Sequence, residues 1–209
     1  MTKKLSDDLD LISAPPDQLG YFFETVSSTQ YTVPIDEGIM EPAYYRGIVN
    51  MLSQANDQDV VIFRINSPGG RMDGLLSLLD AIETTEAMTI ADITGECSSA
   101  ASILALNCDQ CVAGRRAEML NHEVRYGVGG KNSDNLSHVQ HIKKISDKLI
   151  WDTYEGFLED HEIESVLNGK ELFLDSDEII ERLNNREEYR KALAEASKEA
   201  EEENAGLTD

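Results

Sequence analysis

Basic side chains are scarce in this sequence: 18 lysines and arginines stand against 40 aspartates and glutamates, a formal net charge of -22. That balance opposes extended contact with phosphates, since nucleic-acid binders carry a basic footprint, and no nucleic-acid partner is expected. Long apolar runs are missing as well. No stretch approaches the roughly 20 consecutive apolar residues that cross a bilayer, and the opening MTKKLSDDLD lacks the apolar core of a secretory signal. A soluble, cytoplasmic protein without a membrane contact is the expectation. Only three cysteines occur in 209 residues, an odd set that does not make a disulfide framework. Cys108 and Cys111 form a CxxC, CDQC, without a second CxxC or a His-rich segment to complete a zinc site. Buried or half-buried thiols are expected there. No residue cluster suggests a metal or organic cofactor, and no GxxxxGK[ST] phosphate loop is present, so any ATP requirement belongs to a partner.

The length suits one domain with a full hydrophobic core plus appendages. Residues 1–28 read as a flexible polar arm interrupted by APPDQ and carrying one apolar patch, GYFFE, able to dock on a neighbour. YTVPI reads as a short strand, and Pro42 to Gln54 as an amphipathic helix with proline in its first turn. VVIFRI (60–65) has the composition of a parallel strand buried on both faces and stops at NSPGG. A helix to about Glu83, a strand MTIADIT (88–94), a turn at Gly95 and a helix over 99–106 follow. Strand and helix in alternation imply right-handed βαβ crossovers over a mostly parallel sheet, hence an α/β fold. QCVAG and AEMLNH give two more short strands. From Asn135 to Leu158 apolar residues recur at helical spacing over a long helix. ELFL (171–174) reads as a strand, and Asp175 with Glu178 as a capping box opening another helix. Residues 185–209 are acidic and almost without an apolar face, which predicts a solvated helix or a disordered tail.

Two turns, NSPGG and GECSS, follow strands directly, and in open α/β sheets sites gather at the carboxyl ends of strands. A serine nucleophile needs a base within hydrogen-bond reach, a group that orients the base, and N–H donors aimed at the developing oxyanion. Ser98 and Ser99 are both candidates, although serine is also a common helix start. His138, His141 and His161 lie in or beside the long helical region, where packed or solvated roles are expected. His122 closes the strand AEMLN ahead of an irregular loop, EVRYGVGG, which makes it the candidate base. Gly69 and Gly70 can adopt backbone angles that expose their N–H groups.

INSPGG, then a helix, a strand and GECSSAASILA, then MLNHE with a glycine pair soon after, then a long helix and ELFLDSDEII, resemble the Clp protease proteolytic subunit (ClpP) family over residues 29–184. The resemblance implies a ClpP/crotonase-like spiral of βαβ units with a protruding handle helix, here Asn135 to Leu158. It also implies a serine peptidase in which Ser99, rather than Ser98, is the nucleophile, His122 the base and Glu171 the acid. Gly69 and Ala100 inherit the oxyanion-binding role through their backbone N–H groups. The family assembles heptameric rings, stacked as a tetradecamer, and an AAA+ unfoldase of the ClpX or ClpA type feeds polypeptide substrates into the chamber. Several positions depart from the family pattern. The family usually has aspartate where this chain has Glu171, so Asn168 and Asp175 stand as substitutes. Cys97 and Ser98 replace small alanines, Glu123 and Val124 follow the histidine in place of the usual Gln-Pro, and RLNN ends the last helix. These departures mark a divergent member, phage-encoded or accessory. Three other readings stay open: a head-maturation or signal-peptide-peptidase-like protease, a catalytically silent ring subunit, and a crotonase-type site that would not need the Ser99–His122 pair.

Overall fold

Alternating burial organises the sheet. In a computed structural model that describes residues 28–206 except Val128 and Gly130, β2 (Val60–Ser67) buries Val61, Phe63 and Ile65 completely on one face. VVIFRI is therefore not buried on both faces: Ile62 is half-buried, and Arg64 is exposed and reaches Asp92 at 3.3 Å. β1 (Gln30–Ile35) and β3 (Met88–Ser98) flank β2, both parallel to it. β3 is long enough to take two partners on its other side. Ile90–Ile93 pair with β4 (Gln110–Ala113), and Glu96–Ser98 pair with β5 (Glu118–Asn121), again in parallel. β6 (Leu172–Leu174) closes the order β1-β2-β3-β5-β6 as the one antiparallel member. The mixed α/β architecture with its parallel-rich sheet is the expected ClpP-like fold.

Helices fill the crossovers. The segment expected as one helix from Pro42 splits into a 3-10 turn, Pro42–Tyr45, and α1 (Arg46–Leu52). α2 (Met72–Thr84) buries Leu75, Leu78, Ala81 and Ile82. α3 (Ala100–Leu106) is buried at every one of its seven residues, which is why its sequence, AASILAL, has no polar face. α4 (Asn132–Tyr154) is different. Its buried residues, Ser146, Ile150, Thr153 and Tyr154, lie towards its C-terminal end, while Leu136 and Ile145 stay exposed, so the helix protrudes as a handle. It stops short of Leu158 because Gly156, at φ 75°, reverses the chain and the Leu158 N–H returns to the Tyr154 carbonyl at 2.8 Å.

α5 (Asp160–Leu167) was not among the expected elements. Its start was present in the sequence: Glu159 and Glu162 form a reciprocal capping box, and Gly169 at φ 88° follows its end. α6 (Ser176–Gly206) opens with the expected box, the Glu178 N–H donating to Asp175 Oδ1 at 3.0 Å and the Asp175 N–H to Glu178 Oε2 at 2.9 Å. Arg182 clamps α6 to α5 through two bonds to Glu162, 2.7 and 2.9 Å. The helix runs without a break through position 185, where a tail was expected to begin. The GYFFE patch and most of the N-terminal arm lie outside the described residues. No described helix is long and apolar enough to cross a membrane.

Arg186 explains why α6 stays docked past Asn185. It is 7% exposed, and its guanidinium donates to the Leu106 carbonyl at 2.6 Å and the Thr153 carbonyl at 2.9 Å. Both carbonyls belong to helix C-terminal turns, where partial negative charge collects. Burial pulls its pKa down to about 10, which still leaves the group charged near neutrality. Arg186→Ala removes both bonds and orphans two carbonyls. The expected loss of unfolding free energy is about 3 kcal/mol by urea denaturation, and a loss below about 1 kcal/mol would mean that α6 docks through its apolar contacts alone.

Candidate functional site

β3 does not turn at Gly95 as expected but continues to Ser98. Asn66 sits at the irregularity between β2 and β3, where its Oδ1 accepts the Glu96 N–H at 2.9 Å. A β-carbon at position 95 would collide with that side chain, so Gly95 makes room for it. The turn comes one residue after the strand, at Ser99, with φ 58° and ψ -124°. Ser99 is the one described non-glycine residue at positive φ, a conformation that costs on the order of 1–3 kcal/mol and persists only when the surroundings hold it.

Hydrogen bonds at both its N–H and its carbonyl hold it. The Ser99 N–H donates to the Leu120 carbonyl of β5 at 2.8 Å, and the Ser99 carbonyl accepts from Ser102 Oγ at 2.7 Å and from the Ser102 N–H at 3.0 Å. The single Ser102 hydroxyl proton is thereby spent, so in the 2.8 Å contact between Ser102 Oγ and the Tyr154 hydroxyl it is Tyr154 that donates. Burial pushes the Tyr154 phenol well above its ordinary range and keeps it a donor. The last residue of the handle helix is thus linked to the Ser99 turn. Ser98 takes another path: its hydroxyl donates to Glu96 Oε1 at 2.9 Å instead of capping α3.

Gly69 lies directly behind Ser99. Its φ is 84°, and a β-carbon on it would run into the Ser98 carbonyl oxygen and stand 2.7 Å from Ser99 Cβ and 2.8 Å from Ala100 N. The NSPGG turn is pinned by the Ile39 N–H to the Gly69 carbonyl (2.7 Å), the Arg71 N–H to the Ile39 carbonyl (2.8 Å) and Ser67 Oγ to the Glu37 carbonyl (2.6 Å). Gly69, Ser99 and Ala100 are therefore brought together. Ala100 opens α3, where N–H groups have no intrahelical acceptor. The Gly69 N–H points at Ser67 Oγ, 3.2 Å away.

His122 is half-buried, one residue beyond β5. Its Nδ1 lies 2.5 Å from the Glu123 carbonyl oxygen. A carbonyl can only accept, so Nδ1 carries a proton, and in the neutral ring this leaves Nε2 its lone pair, the tautomer a general base requires. No hydrogen bond joins the Ser99 hydroxyl to the His122 ring. β5 and β6 pair Leu120 with Phe173 and Asn121 with Leu172, where the ladder ends, so His122 and Glu171 are the next residues on the two strands. The Glu171 carboxylate nevertheless binds Arg125. The two substitutes are engaged elsewhere, Asn168 Nδ2 on the Glu164 carbonyl (2.7 Å) and Asp175 on the α6 cap.

Other expected roles were simpler. His138 and His141 are exposed on α4, and His161 sits 3.1 Å from Glu159 at the surface. Cys97 and Cys108 are buried and Cys111 half-buried; burial drives the first two thiols far up and Cys111 up to about 12, so thiolate chemistry is suppressed. Among the described residues no group of three or more His, Cys, Asp or Glu side chains is arranged to hold a metal ion. Asn66, Ser102, Tyr154 and Arg125 were not anticipated. Neither was Asn121, fully buried beside His122 with both ends of its amide unpaired.

A parallel-rich α/β sheet that delivers a left-handed serine onto the N-terminus of a buried helix, with a glycine turn behind it and a histidine after the adjacent strand, is a ClpP-like framework. The chain belongs to the Clp protease family, whose sequence pattern matches residues 29–178. It is in general terms a ClpP-type peptidase. No curated protein matches the chain.

Two stability changes follow from the geometry. Gly69→Ala places a β-carbon against Ser98–Ala100 at a disfavoured φ and is expected to cost about 2 kcal/mol in denaturant unfolding; an unchanged midpoint would mean that the turn yields freely. Asn121→Leu removes two unpaired buried polar ends and is expected to raise the unfolding free energy by about 1 kcal/mol, whereas a marked loss would show that the amide has a partner.

Proposed function

We propose that this protein is a serine endopeptidase that cleaves unfolded polypeptides inside a self-compartmentalised ring of identical subunits, two heptamers stacked, in the cytoplasm. An ATP-dependent AAA+ unfoldase of the ClpX or ClpA type delivers the substrate. The observation that carries the reading is the strained Ser99 backbone, held at its N–H and its carbonyl at the mouth of α3 with Gly69 behind it. Strain of this kind, maintained by dedicated contacts, belongs with function more often than with packing.

In this reading Ser99 Oγ attacks the scissile carbonyl while His122 Nε2 accepts its proton, and the imidazolium then returns that proton to the leaving amine. The Ala100 N–H, and the Gly69 N–H once released from Ser67 Oγ, stabilise the oxyanion, aided by the N-terminal end of α3. Water hydrolyses the acyl-enzyme by the same proton path in reverse. Orientation of His122 falls to the Glu123 carbonyl or to Glu171, which do different things. The carbonyl fixes the tautomer, whereas only a carboxylate also stabilises the imidazolium.

One observation favours a second reading, a catalytically silent ring subunit: the Ser99 hydroxyl and His122 are not hydrogen-bonded, and Glu171 is held by Arg125. Ser99→Ala separates the two. The wild type is expected to cleave a short fluorogenic peptide and to take up a fluorophosphonate probe, and the variant to lose both, with cleavage down by at least about 10³-fold. Labelling that persisted in Ser99→Ala would remove Ser99 as nucleophile, and a wild type that neither cleaves nor labels would establish the silent subunit. Native mass measurement tests the ring.

A further inference from the structure

We propose that Arg125 is a positioning residue that withholds Glu171 from His122, so that the ion pair Arg125–Glu171 acts as an autoinhibitory latch on the catalytic histidine. The inference rests on the peptidase reading and adds a control that this reading does not contain.

Register supplies the first half of the argument. The β5–β6 ladder ends at Asn121 and Leu172, and one further pair in the same register would set Glu171 opposite His122, where directly opposed residues on antiparallel strands have β-carbons about 4.5–5.5 Å apart. A carboxylate at that position can reach the imidazole by a side-chain rotation. The second half is what the groups do instead. Glu171 gives Oε1 to the Arg125 guanidinium, and His122 spends its Nδ1 proton on the carbonyl of Glu123, its own neighbour in the chain. A neutral imidazole has one N–H to donate, so the carbonyl and Glu171 compete for it. A charged guanidinium attracts Glu171 more strongly than a neutral ring does.

Arg125 sits three positions after His122 in the same loop and is 72% exposed at its side chain, against 42% for Glu171. An exposed pair is weak, so the latch opens readily; it sets a population and does not block the site. Other charged groups on the elements around His122 are Glu123 and Lys131 in the same loop, Lys170 beside Glu171, Glu118 on β5, Glu96 on β3, and Lys143, Lys144 and Lys148 on α4, of which Lys143 feels Glu123. Of these cations Arg125 holds Glu171, while Lys143 is bonded to Asp147 and Lys148 to Asp152.

The test compares Arg125→Gln, Arg125→Lys, Glu171→Gln and the double variant Arg125→Gln/Glu171→Gln in the assembled full-length protein, with a short fluorogenic peptide. Arg125→Gln is expected to raise kcat by about two- to fivefold, the ceiling an exposed pair can impose, with KM unchanged. Arg125→Lys keeps a cation and should stay near wild type. Glu171→Gln removes the carboxylate that serves the unlatched state, so kcat should fall, and adding Arg125→Gln in that background should bring no gain. A fall in kcat in Arg125→Gln, or a gain that survives Glu171→Gln, overturns the latch. Proton NMR of the His122 Nδ1–H in nitrogen-labelled-histidine protein reads the same change without turnover. That resonance should move downfield in Arg125→Gln, where a carboxylate replaces the carbonyl as acceptor, and should not move in the double variant. If the wild type proves inactive towards peptide and probe, a downfield move in Arg125→Gln sustains the latch while the peptidase reading falls, and an unmoved resonance removes the latch.

Discussion

The left-handed backbone at Ser99 is the constraint on which the rest of the structure depends. A residue with a β-carbon is held at φ 58°, at a cost on the order of 1–3 kcal/mol, and the neighbouring choices follow from that. β5 must lie beside the end of β3 so that the Leu120 carbonyl can receive the Ser99 N–H. α3 must start at once and run buried, so its residues are small or aliphatic throughout. Position 69 must lack a side chain because the space a β-carbon needs is filled by the Ser98 carbonyl, Ser99 Cβ and Ala100 N. Position 102 must carry a hydroxyl able to donate backwards to the Ser99 carbonyl and accept from Tyr154. The handle helix is therefore tied to the turn by the same chain of bonds that holds its strain.

Cations are few in this chain, and several are spent at junctions. Arg182 joins α6 to α5, Arg186 joins α6 to the C-terminal turns of α3 and α4, Arg64 bridges β2 and β3 at Asp92, and Arg125 takes Glu171. Their energetic weights differ with burial. Arg186 is nearly sealed from water and answers two helix-end carbonyls, so its removal leaves polar groups that water cannot repair. Arg125 is mostly solvated, and its pair adds at most about 1 kcal/mol, which is too little to stabilise the fold but enough to bias two arrangements of one carboxylate. The large acidic excess remains mainly at the surface, on α6 in particular, where solvent screens it.

Much of the fold could be read from local pattern, and what could not was decided by contacts distant in sequence. β2, α2, β4, β5, the handle and the Asp175 capping box were legible because period, β-branching and cap chemistry are local properties. β3 was truncated at Gly95 because glycine after a β-branched run reads as a turn. The actual role of that glycine, clearance for the Asn66 side chain, depends on a strand thirty residues earlier. α5 was missed although Glu159 and Glu162 announce it, since EIESVL offers only a short apolar face. The choice of Ser99 over Ser98 came from the family resemblance; the structure adds a physical difference between them, positive φ at one and a bond to Glu96 at the other. Ser102, Tyr154, Asn121 and Arg125 carried no sequence signal, as each matters only through a partner that the topology supplies.

The third member of the constellation is where local and long-range requirements conflict. A carboxylate beside a catalytic histidine does two things: it selects the tautomer, and it stabilises the imidazolium once the proton has moved. Here the first is done by a main-chain carbonyl, which is close and uncharged, and every residue type supplies it equally. The second needs charge, and the carboxylate that continues the β5–β6 register, Glu171, is bound to Arg125. In the latch proposed above, glutamate's extra methylene, a departure from the family's usual aspartate, is what lets one backbone position serve either Arg125 or His122. A shorter side chain would have fewer ways to choose. On the peptidase reading, the substitution that first looks like damage to a triad is thus also what would make two arrangements possible, one with a ready base and an unstabilised imidazolium, the other with both.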